Sequence, residues 1–351
     1  MFITGLQTAV PERRFTQAEC WEALQRVSRP ELTPRVRSVL QGILTHDNGI
    51  DTRSLALDSL DEGFDLDPDT LHRRFVRHAP QLASQAGERA LRDAGLQAHE
   101  IDAVVVSTCT GYLCPGLTSY VIENLGLRPD VVALDLVGQG CGAALPNLRT
   151  AEALIAANRS EHVLSICVEV CSAAFYLDSD LGVLVSACLF GDGAAAAVLS
   201  REPRADARRV EWKAGASVTD PGKRDALRFE QRGGMLRNIL TLPVPRLAAE
   251  HAKRLFEDVA AREEIPRADV SAWIMHGGGR RVLEELDRHL SLDTSDLHWS
   301  REMLRQYGNL SSPFVLFVLR AALDAKAPGG WWWMSSFGAG FSCHGALLRV
   351  A

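Results

Sequence analysis

Two pairs of segments in this chain resemble each other on either side of a charged, proline-bearing break. DAVVVSTCTG (residues 102–111) is weakly similar to SAWIMHGGG (271–279), and LFGDGAAAAVL (189–199) to SFGAGFSCHGALL (336–348). In each half a buried-type strand runs into a polar or glycine-rich turn, and a small-residue strand follows later. A chain that repeats this order folds as two similar α/β layer units. The break REPRAD, Arg201–Asp206, places these units at residues 1–200 and 207–351. No tandem repeat of roughly 20–50 residues accompanies the similarity, so a solenoid or propeller is excluded.

Around these anchors the apolar periodicity predicts alternating helices and strands. In the first half, 81–94 reads as a helix ended by Gly95, 101–108 as a valine-rich buried strand, and 117–125 as a helix closed by Gly126. A strand over 131–137 leads into the glycine-rich turn and helix of 138–158, and another strand covers 163–168. Residues 189–199 read as a tight turn into a strand. In the second half, helices are expected at 247–264, 280–289 and 311–323, a strand at 270–275, and two closing strands within 331–350. The first 80 residues carry the least pattern; 47–69 holds eight acidic residues and reads as a solvated surface loop.

Composition narrows the class. With 351 residues, 46% of them hydrophobic, the chain can bury a sizeable core and is not disordered. A formal net charge of -6 argues against a nucleic-acid partner. Met1–Val10 has neither the basic nor the apolar region of a secretory signal. The uncharged stretch Trp331–Leu348 is dotted with Ser and Gly and reads as strand and loop, not as a membrane span. These features predict a cytoplasmic enzyme. The eight cysteines are then read as free thiols rather than a disulfide framework. No Cys-x2-Cys pair occurs, and Cys167-x3-Cys171 lies in a strand pattern, so no metal site is expected.

Three constellations can carry chemistry. Gly138-Gln139-Gly140-Cys141-Gly142-Ala143 fits the dinucleotide fingerprint G-x-G-x-x-A, with Glu169 where a ribose-binding acid would sit. The same turn also places the Cys141 sulfur at a helix N-terminus, where the dipole favours thiolate and lowers the pKa below about 8.5. His276-Gly277-Gly278-Gly279 resembles an esterase oxyanion loop, but no G-x-S-x-G accompanies it, so a serine hydrolase is excluded. Asn309, in YGNLSSP, reads alone as a helix cap or turn residue. Together, Cys, His and Asn supply a nucleophile, a proton partner and an oxyanion donor.

The motifs GQGCGAA, LFGDGAA, WIMHGGG, YGNLSSP and SFGAGFSCHGALL, in this order from about residue 80 to the end, closely resemble the type III polyketide synthases, the chalcone synthase-like family. The resemblance implies a thiolase-like fold of duplicated αβαβα layers, a homodimer, acyl-CoA and malonyl-CoA as substrates, and no metal or redox cofactor. It implies that Cys141 is the nucleophile, His276 the catalytic histidine and Asn309 the catalytic asparagine. Phe190 matches the aromatic gatekeeper between the CoA tunnel and the cavity, and Leu240 falls near a second gatekeeper. Gly234, Ser311, Gly338, Ala339 and Gly340 match positions lining the cavity, as do Cys109, Cys171, Ala174 and Ser186. Cys114 matches the position that reaches across the dimer in many relatives.

The implied reaction loads an acyl group onto a Cys141 thiolate paired with His276. Malonyl-CoA then loses CO2 while His276 and Asn309 hydrogen-bond its thioester oxygen, the resulting carbanion extends the chain, and the product cyclises to a pyrone or resorcinol-type ring. A ketoacyl synthase III-like condensing enzyme is the alternative within the same fold, and an NAD-binding protein the alternative outside it. The family holds CoA with Lys and Arg in the segment that is 41–48 here, where this chain has Gln41, Leu44 and Asn48. Arg35, Arg37, Arg280 and Arg281 are left as candidates for the CoA phosphates. Small residues at Cys171 and Ala174, where flavonoid-forming relatives often carry Thr, point to a medium or long fatty acyl starter.

Overall fold

The two similar halves fold into two similar runs of strands. The structure is a computed structural model and describes residues 1–177 and 179–351. The first half contributes β1 (Phe2–Ala9), two short strands β2 (Arg14–Thr16) and β3 (Thr52–Ser54), then β4 (Ala103–Ser107), β5 (Val132–Leu136), β6 (His162–Glu169) and β7 (Gly193–Ser200). The second contributes β8 (Val210–Thr219), the hairpin β9 (Leu227–Arg232) and β10 (Met235–Leu240), then β11 (Val270–Met275), β12 (Gly330–Gly338) and β13 (Ser342–Val350). The main sheet runs β11-β12-β13-β8-β1-β7-β6-β4-β5. Its two parts meet at one residue pair, Phe2 with Glu211. On one side of that seam β1, β7, β6 and β4 pair antiparallel, antiparallel, parallel; on the other, β8, β13, β12 and β11 do the same.

Helices α1 (Gln17–Arg26), α2 (Pro34–Thr45), α3 (Pro68–Ala94), α4 (Leu117–Leu125), α5 (Ala144–Ala156) and α6 (Leu181–Leu189) belong to the first half. Helices α7 (Val244–Arg262), α8 (Arg280–Leu290), α9 (His298–Tyr307) and α10 (Phe314–Asp324) belong to the second. Helix α3 covers the outer face of the first sheet run and α7 that of the second. Between the runs lie α5 and α10, packed on strands of both. The sequence allows this because both helices carry broad apolar faces: Phe314 through Leu319 are six consecutive buried residues, and α5 buries Ala144, Leu145, Leu148, Ala151 and Ile155 while Arg149 and Ala153 stay exposed. The one polar side chain that α5 buries, Asn147, donates to the Ser107 hydroxyl at 3.1 Å and the Ile166 carbonyl at 3.0 Å. The result is the five-layer, thiolase-like αβαβα arrangement.

Three expectations are corrected. The helix read over 81–94 begins at Pro68 and carries Pro80 inside it; Asp67 caps it by accepting from the Thr70 N–H at 2.9 Å. Proline interrupts the sequence signal, but tight packing of α3 on β1 holds the helix together across it. At Gly5 of β1 an added Cβ would lie 2.4 Å from the Ala90 carbonyl oxygen. The acidic segment 47–69 is not simply a surface loop, because Ile50 and Leu55, Ala56 and Leu57 turn inward while the carboxylates stay at its bends. Arg53 is buried with them and donates to the Ala187 and Phe190 carbonyls at 2.8 and 2.9 Å. The helix expected from Ser311 starts at Phe314, after a turn in which Ser311 is left-handed, φ 59°.

Because the faces that α5 and α10 turn to the sheets are fully buried, truncating a side chain there opens a cavity that cannot fill. Leu148→Ala and Leu319→Ala, both at fully buried sites, are each expected to cost about 2–5 kcal/mol in urea unfolding. Leu242→Ala, at a residue 78% exposed, should stay within about 0.5 kcal/mol. Equal costs at all three positions would contradict the layered arrangement.

Candidate active site

Helices α5 and α10 both begin at the same end of the layer they form, and the chemistry-bearing residues sit in the turns before them. Cys141 lies in the single helical turn Gly140–Gly142 that precedes α5. A loop of the other half presses against this turn: an added Cβ at Gly338 would lie 2.2 Å from the Gln139 carbonyl oxygen and 2.6 Å from the Gly142 nitrogen. Only glycine permits that approach. Ahead of α10, Ser311 donates its hydroxyl to the Cys141 sulfur at 3.2 Å. Its left-handed backbone is held by Asn309, whose Oδ1 accepts from the Ser311 N–H at 2.8 Å.

Asn309 is fixed from every side. Its backbone N–H donates to Leu189 at 2.8 Å and its carbonyl accepts from Gly191 at 3.0 Å, which straps it across Phe190. One hydrogen of its Nδ2 goes to the Gly278 carbonyl at 3.2 Å. His276 follows β11, its N–H on the Ser335 carbonyl at 2.9 Å. The imidazole stands edge-on to Phe314 and Phe337, with ring centres 5.2 and 5.0 Å away. Neither ring nitrogen has a partner among the described residues, and burial holds its pKa down to about 3, so the ring is neutral.

Burial acts on Cys141 in the opposite sense, as it must for an acid. The thiol is pushed up to about 12 by loss of water, an effect that the Ser311 hydroxyl reduces and the Glu169 charge reinforces. Burial thus opposes the thiolate that a helix terminus favours. The expected Cys141–His276 pair is also absent among the described hydrogen bonds; the sulfur bonds Ser311 instead.

Glu169 ties the site together from behind. It is fully buried at the end of β6 and accepts from the Ser312 hydroxyl at 2.6 Å, the Cys109 N–H at 3.0 Å and thiol at 3.3 Å, and the Thr110 hydroxyl at 2.9 Å. Burial raises its pKa and these donors oppose the rise. A carboxylate so enclosed cannot reach a ribose, which removes the dinucleotide reading of the Gly138–Ala143 turn.

A cleft enclosing about 570 Å³, including space open to solvent, brings Cys141 together with Cys171, Ala174, Ser186, Phe190, Ser311 and Ala339 among the expected residues. His276 and Asn309 do not line it; they connect to it through Phe337, Ser311 and Phe190. Cys109 stands behind the wall on Glu169 and Ser311, and Cys114 is exposed. Gly338 shapes the Cys141 turn from outside the lining, Gly234 is in the β9–β10 turn beside Pro68, and the Leu240 carbonyl packs over Gly182. From that hairpin it is Leu227, Arg228, Phe229 and Asn238 that line the cleft. Sequence reasoning missed them, as it missed Thr110, Phe175 and Tyr176, because which face of a short hairpin turns inward is set by what packs behind it. Of the candidate CoA-binding arginines, Arg37 bonds carbonyls of α1 and the residue after it and Arg280 pairs with Asp47, whereas Arg35 and Arg281 stay exposed.

Among the described residues no cluster of His, Cys, Asp and Glu is arranged to hold a metal, and no helix is long and apolar enough to cross a membrane. Residues 2–203 match the family model for the chalcone and stilbene synthase N-terminal domain, and residues 226–351 that for the C-terminal domain. A 3,5-dihydroxyphenylacetyl-CoA synthase of Amycolatopsis orientalis is 30% identical, over 98% of this chain and 92% of its own. An alpha-pyrone synthesis polyketide synthase-like protein of Mycobacterium tuberculosis is 27% identical, over 99% and 91%. Among solved structures, PKS-I of the brown alga Ectocarpus siliculosus superposes with a TM-score of 0.90 at 29% identity, covering 99% of this chain and 98% of that one. The 1,3,6,8-tetrahydroxynaphthalene synthase of Streptomyces coelicolor does so at 0.88 and 26%, covering 99% of each chain.

The buried histidines make stability depend on pH. His344, under the Cys141 turn, bonds Ser217 and Ser342 and is held down to about 4, by burial first and then by Arg149. Its folded pKa lies below its unfolded value, so the unfolded chain binds more protons and stability falls as pH drops from 6.5 towards 4. His344→Gln should flatten the wild-type loss of unfolding free energy over that interval. Parallel pH profiles for the two proteins would show that the fold leaves the His344 pKa at its ordinary value.

Proposed function

The chain belongs to the chalcone and stilbene synthase family, and from that premise we propose that Cys141, His276 and Asn309 are the catalytic residues of its condensation reaction. It is a type III polyketide synthase, an acyltransferase of secondary metabolism that joins malonyl-CoA units to an acyl-CoA starter and needs no resident cofactor. The observation that carries the assignment is the meeting of Cys141, Ser311 and Asn309 in the turns before α5 and α10, tied by hydrogen bonds of 3.2 and 2.8 Å.

The neutral resting state suits each step. A neutral His276 accepts the Cys141 proton as the sulfur attacks the starter thioester, and CoA leaves as the thiol. Neutral imidazole still carries one N–H, and the Asn309 Nδ2 has a second hydrogen beyond the one given to Gly278. Both donate to the malonyl thioester oxygen while CO2 departs, and they hold the enolate most strongly because charge appears there only at that moment. The enolate carbon attacks the acyl group on Cys141 and the lengthened chain passes to CoA. After further rounds the chain closes to a pyrone or resorcinol-type ring.

The starter is a medium or long fatty acyl-CoA. Cys171 and Ala174 leave room beside Cys141, and Phe175, Leu227 and Phe229 make the wall apolar. Each methylene buried there contributes about 0.8 kcal/mol. The working form is a homodimer built along β5: this strand ends the sheet with an open edge, and Val132, Val137 and nearby Tyr112 are 40%, 59% and 71% exposed. Eight unpaired cysteines fit a cytoplasmic location, which fractionation of the native cells would test.

Product masses from a chain-length series of acyl-CoAs with malonyl-CoA test the reading. Cys141→Ala should abolish polyketide formation without unfolding the protein. Asn309→Ala should slow malonyl-CoA decarboxylation about a hundred-fold or more, the effect of losing one oxyanion donor, while sparing starter loading. Ala174→Leu should curtail use of the longest starters. Normal condensation by Asn309→Ala would reduce that residue to a turn former, and a wild-type preference for acetyl or aromatic starters would overturn the fatty acyl assignment. Sedimentation should find a dimer that Val137→Glu dissociates; a monomeric wild type would rule out the β5 interface.

A further inference from the structure

The cleft around Cys141 holds two kinds of polar side chain. The Thr110 hydroxyl donates to Glu169 and accepts from the Val170 N–H, and the Ser311 hydroxyl donates to Cys141, so both are occupied by the protein. The Asn238 carboxamide and the Ser186 hydroxyl line the same cleft, each on a residue only 7% exposed, and neither has a hydrogen-bond partner among the described residues. Asn238 is on β10, directly across the hairpin from Phe229, and Ser186 is on α6, which packs against β10. Their neighbours on this wall are the apolar Ala187, Leu227 and Phe229 and, between the last two, Arg228, whose guanidinium is held by Asp225 and Glu230. A carboxamide in such a wall contributes nothing to folding that a leucine of similar size would not, and it carries the cost of leaving water. Its polarity is directed at whatever occupies the cleft.

Resting on the polyketide synthase reading, the occupant is the chain on Cys141, which gains one ketone oxygen with every extension. We propose that Asn238 and Ser186 are specificity-determining residues that hold the ketone and enol oxygens of the extended β-keto chain. A carboxamide offers N–H donors to a ketone and a carbonyl acceptor to an enol hydroxyl, and a serine hydroxyl serves either. The alkyl starter has no oxygen to offer them, so they act only after the first condensation. Holding the chain there keeps its terminal ketones from reaching the thioester early, and so sets how many extensions precede ring closure.

The test compares Asn238→Leu, Asn238→Gln and Ser186→Ala with wild type, using an acyl-CoA starter that the wild type accepts and malonyl-CoA. Acylation of Cys141, read by intact mass, and malonyl-CoA decarboxylation should stay within about two-fold in all variants. In Asn238→Leu and Ser186→Ala, products of later extensions should fall about two- to ten-fold relative to those closed early, as the loss of one neutral hydrogen bond implies. Asn238→Gln, which keeps the carboxamide, should recover most of the wild-type ratio. An unchanged product ratio in both Asn238→Leu and Ser186→Ala overturns the proposal. An equal fall in acylation, decarboxylation and extension overturns it too, since that marks a packing role. If the wild type makes no polyketide from any acyl-CoA while its thiol still acylates, the synthase reading fails first and this inference with it.

Discussion

Two helices held between the sheets organise this protein. Helices α5 and α10 can satisfy their apolar surfaces only between two sheets, so each half of the chain must present one sheet run inward and cover the other face with α3 or α7. Once both helices are sandwiched in this way, their opening turns become neighbours. Cys141 and Ser311, 170 residues apart in sequence, are then 3.2 Å apart in space. The site is a consequence of how the core is filled.

That placement determines its electrostatics. A site at the centre of five layers is dry, and dryness raises Cys141, raises Glu169 and lowers His276 for one reason: each charged form has lost its water. Glu169 bears this cost in exchange for donors from the loop after β4 and the turn before α10, which makes it a rivet between the halves. The same low dielectric makes any fixed donor in the site far more effective toward a developing negative charge than it would be in water. A network in which Asn309 already holds Leu189, Gly191, Gly278 and Ser311 needs no reorganisation when that charge appears.

Close approach is the other requirement, and glycine meets it. Gly338 and Gly142 let backbone from the two halves touch behind the nucleophile, where any side chain would collide with main-chain atoms. The wall opposite is built differently. It comes from α6 and the β9–β10 hairpin, elements whose side chains face the cleft or not according to a two-residue alternation. Rigid backbone contacts thus surround the reacting atoms, while readily substituted side chains surround the growing chain.

What the sequence determined by itself is what local pattern and short motifs can encode. The doubled order of strand, turn and small-residue strand announced two α/β halves, and the turns carrying Cys141, His276 and Asn309 marked the chemistry, since glycines beside a reactive residue signal close approach. Only the tertiary structure decided the rest. It set Cys141 against the Ser311 hydroxyl and out of water, and burial, which no local pattern reports, opposes the thiolate that a helix terminus favours. It turned Ile50 and Leu55–Leu57 inward from an acid-rich segment, and it extended α3 through Pro80, since packing against β1 overrides a local break. It put Asn238 on the cleft wall and left Leu240, on the same face of β10 but at its end beside Gly182, outside the lining, because where a short hairpin sits over a cleft depends on the elements packed around it.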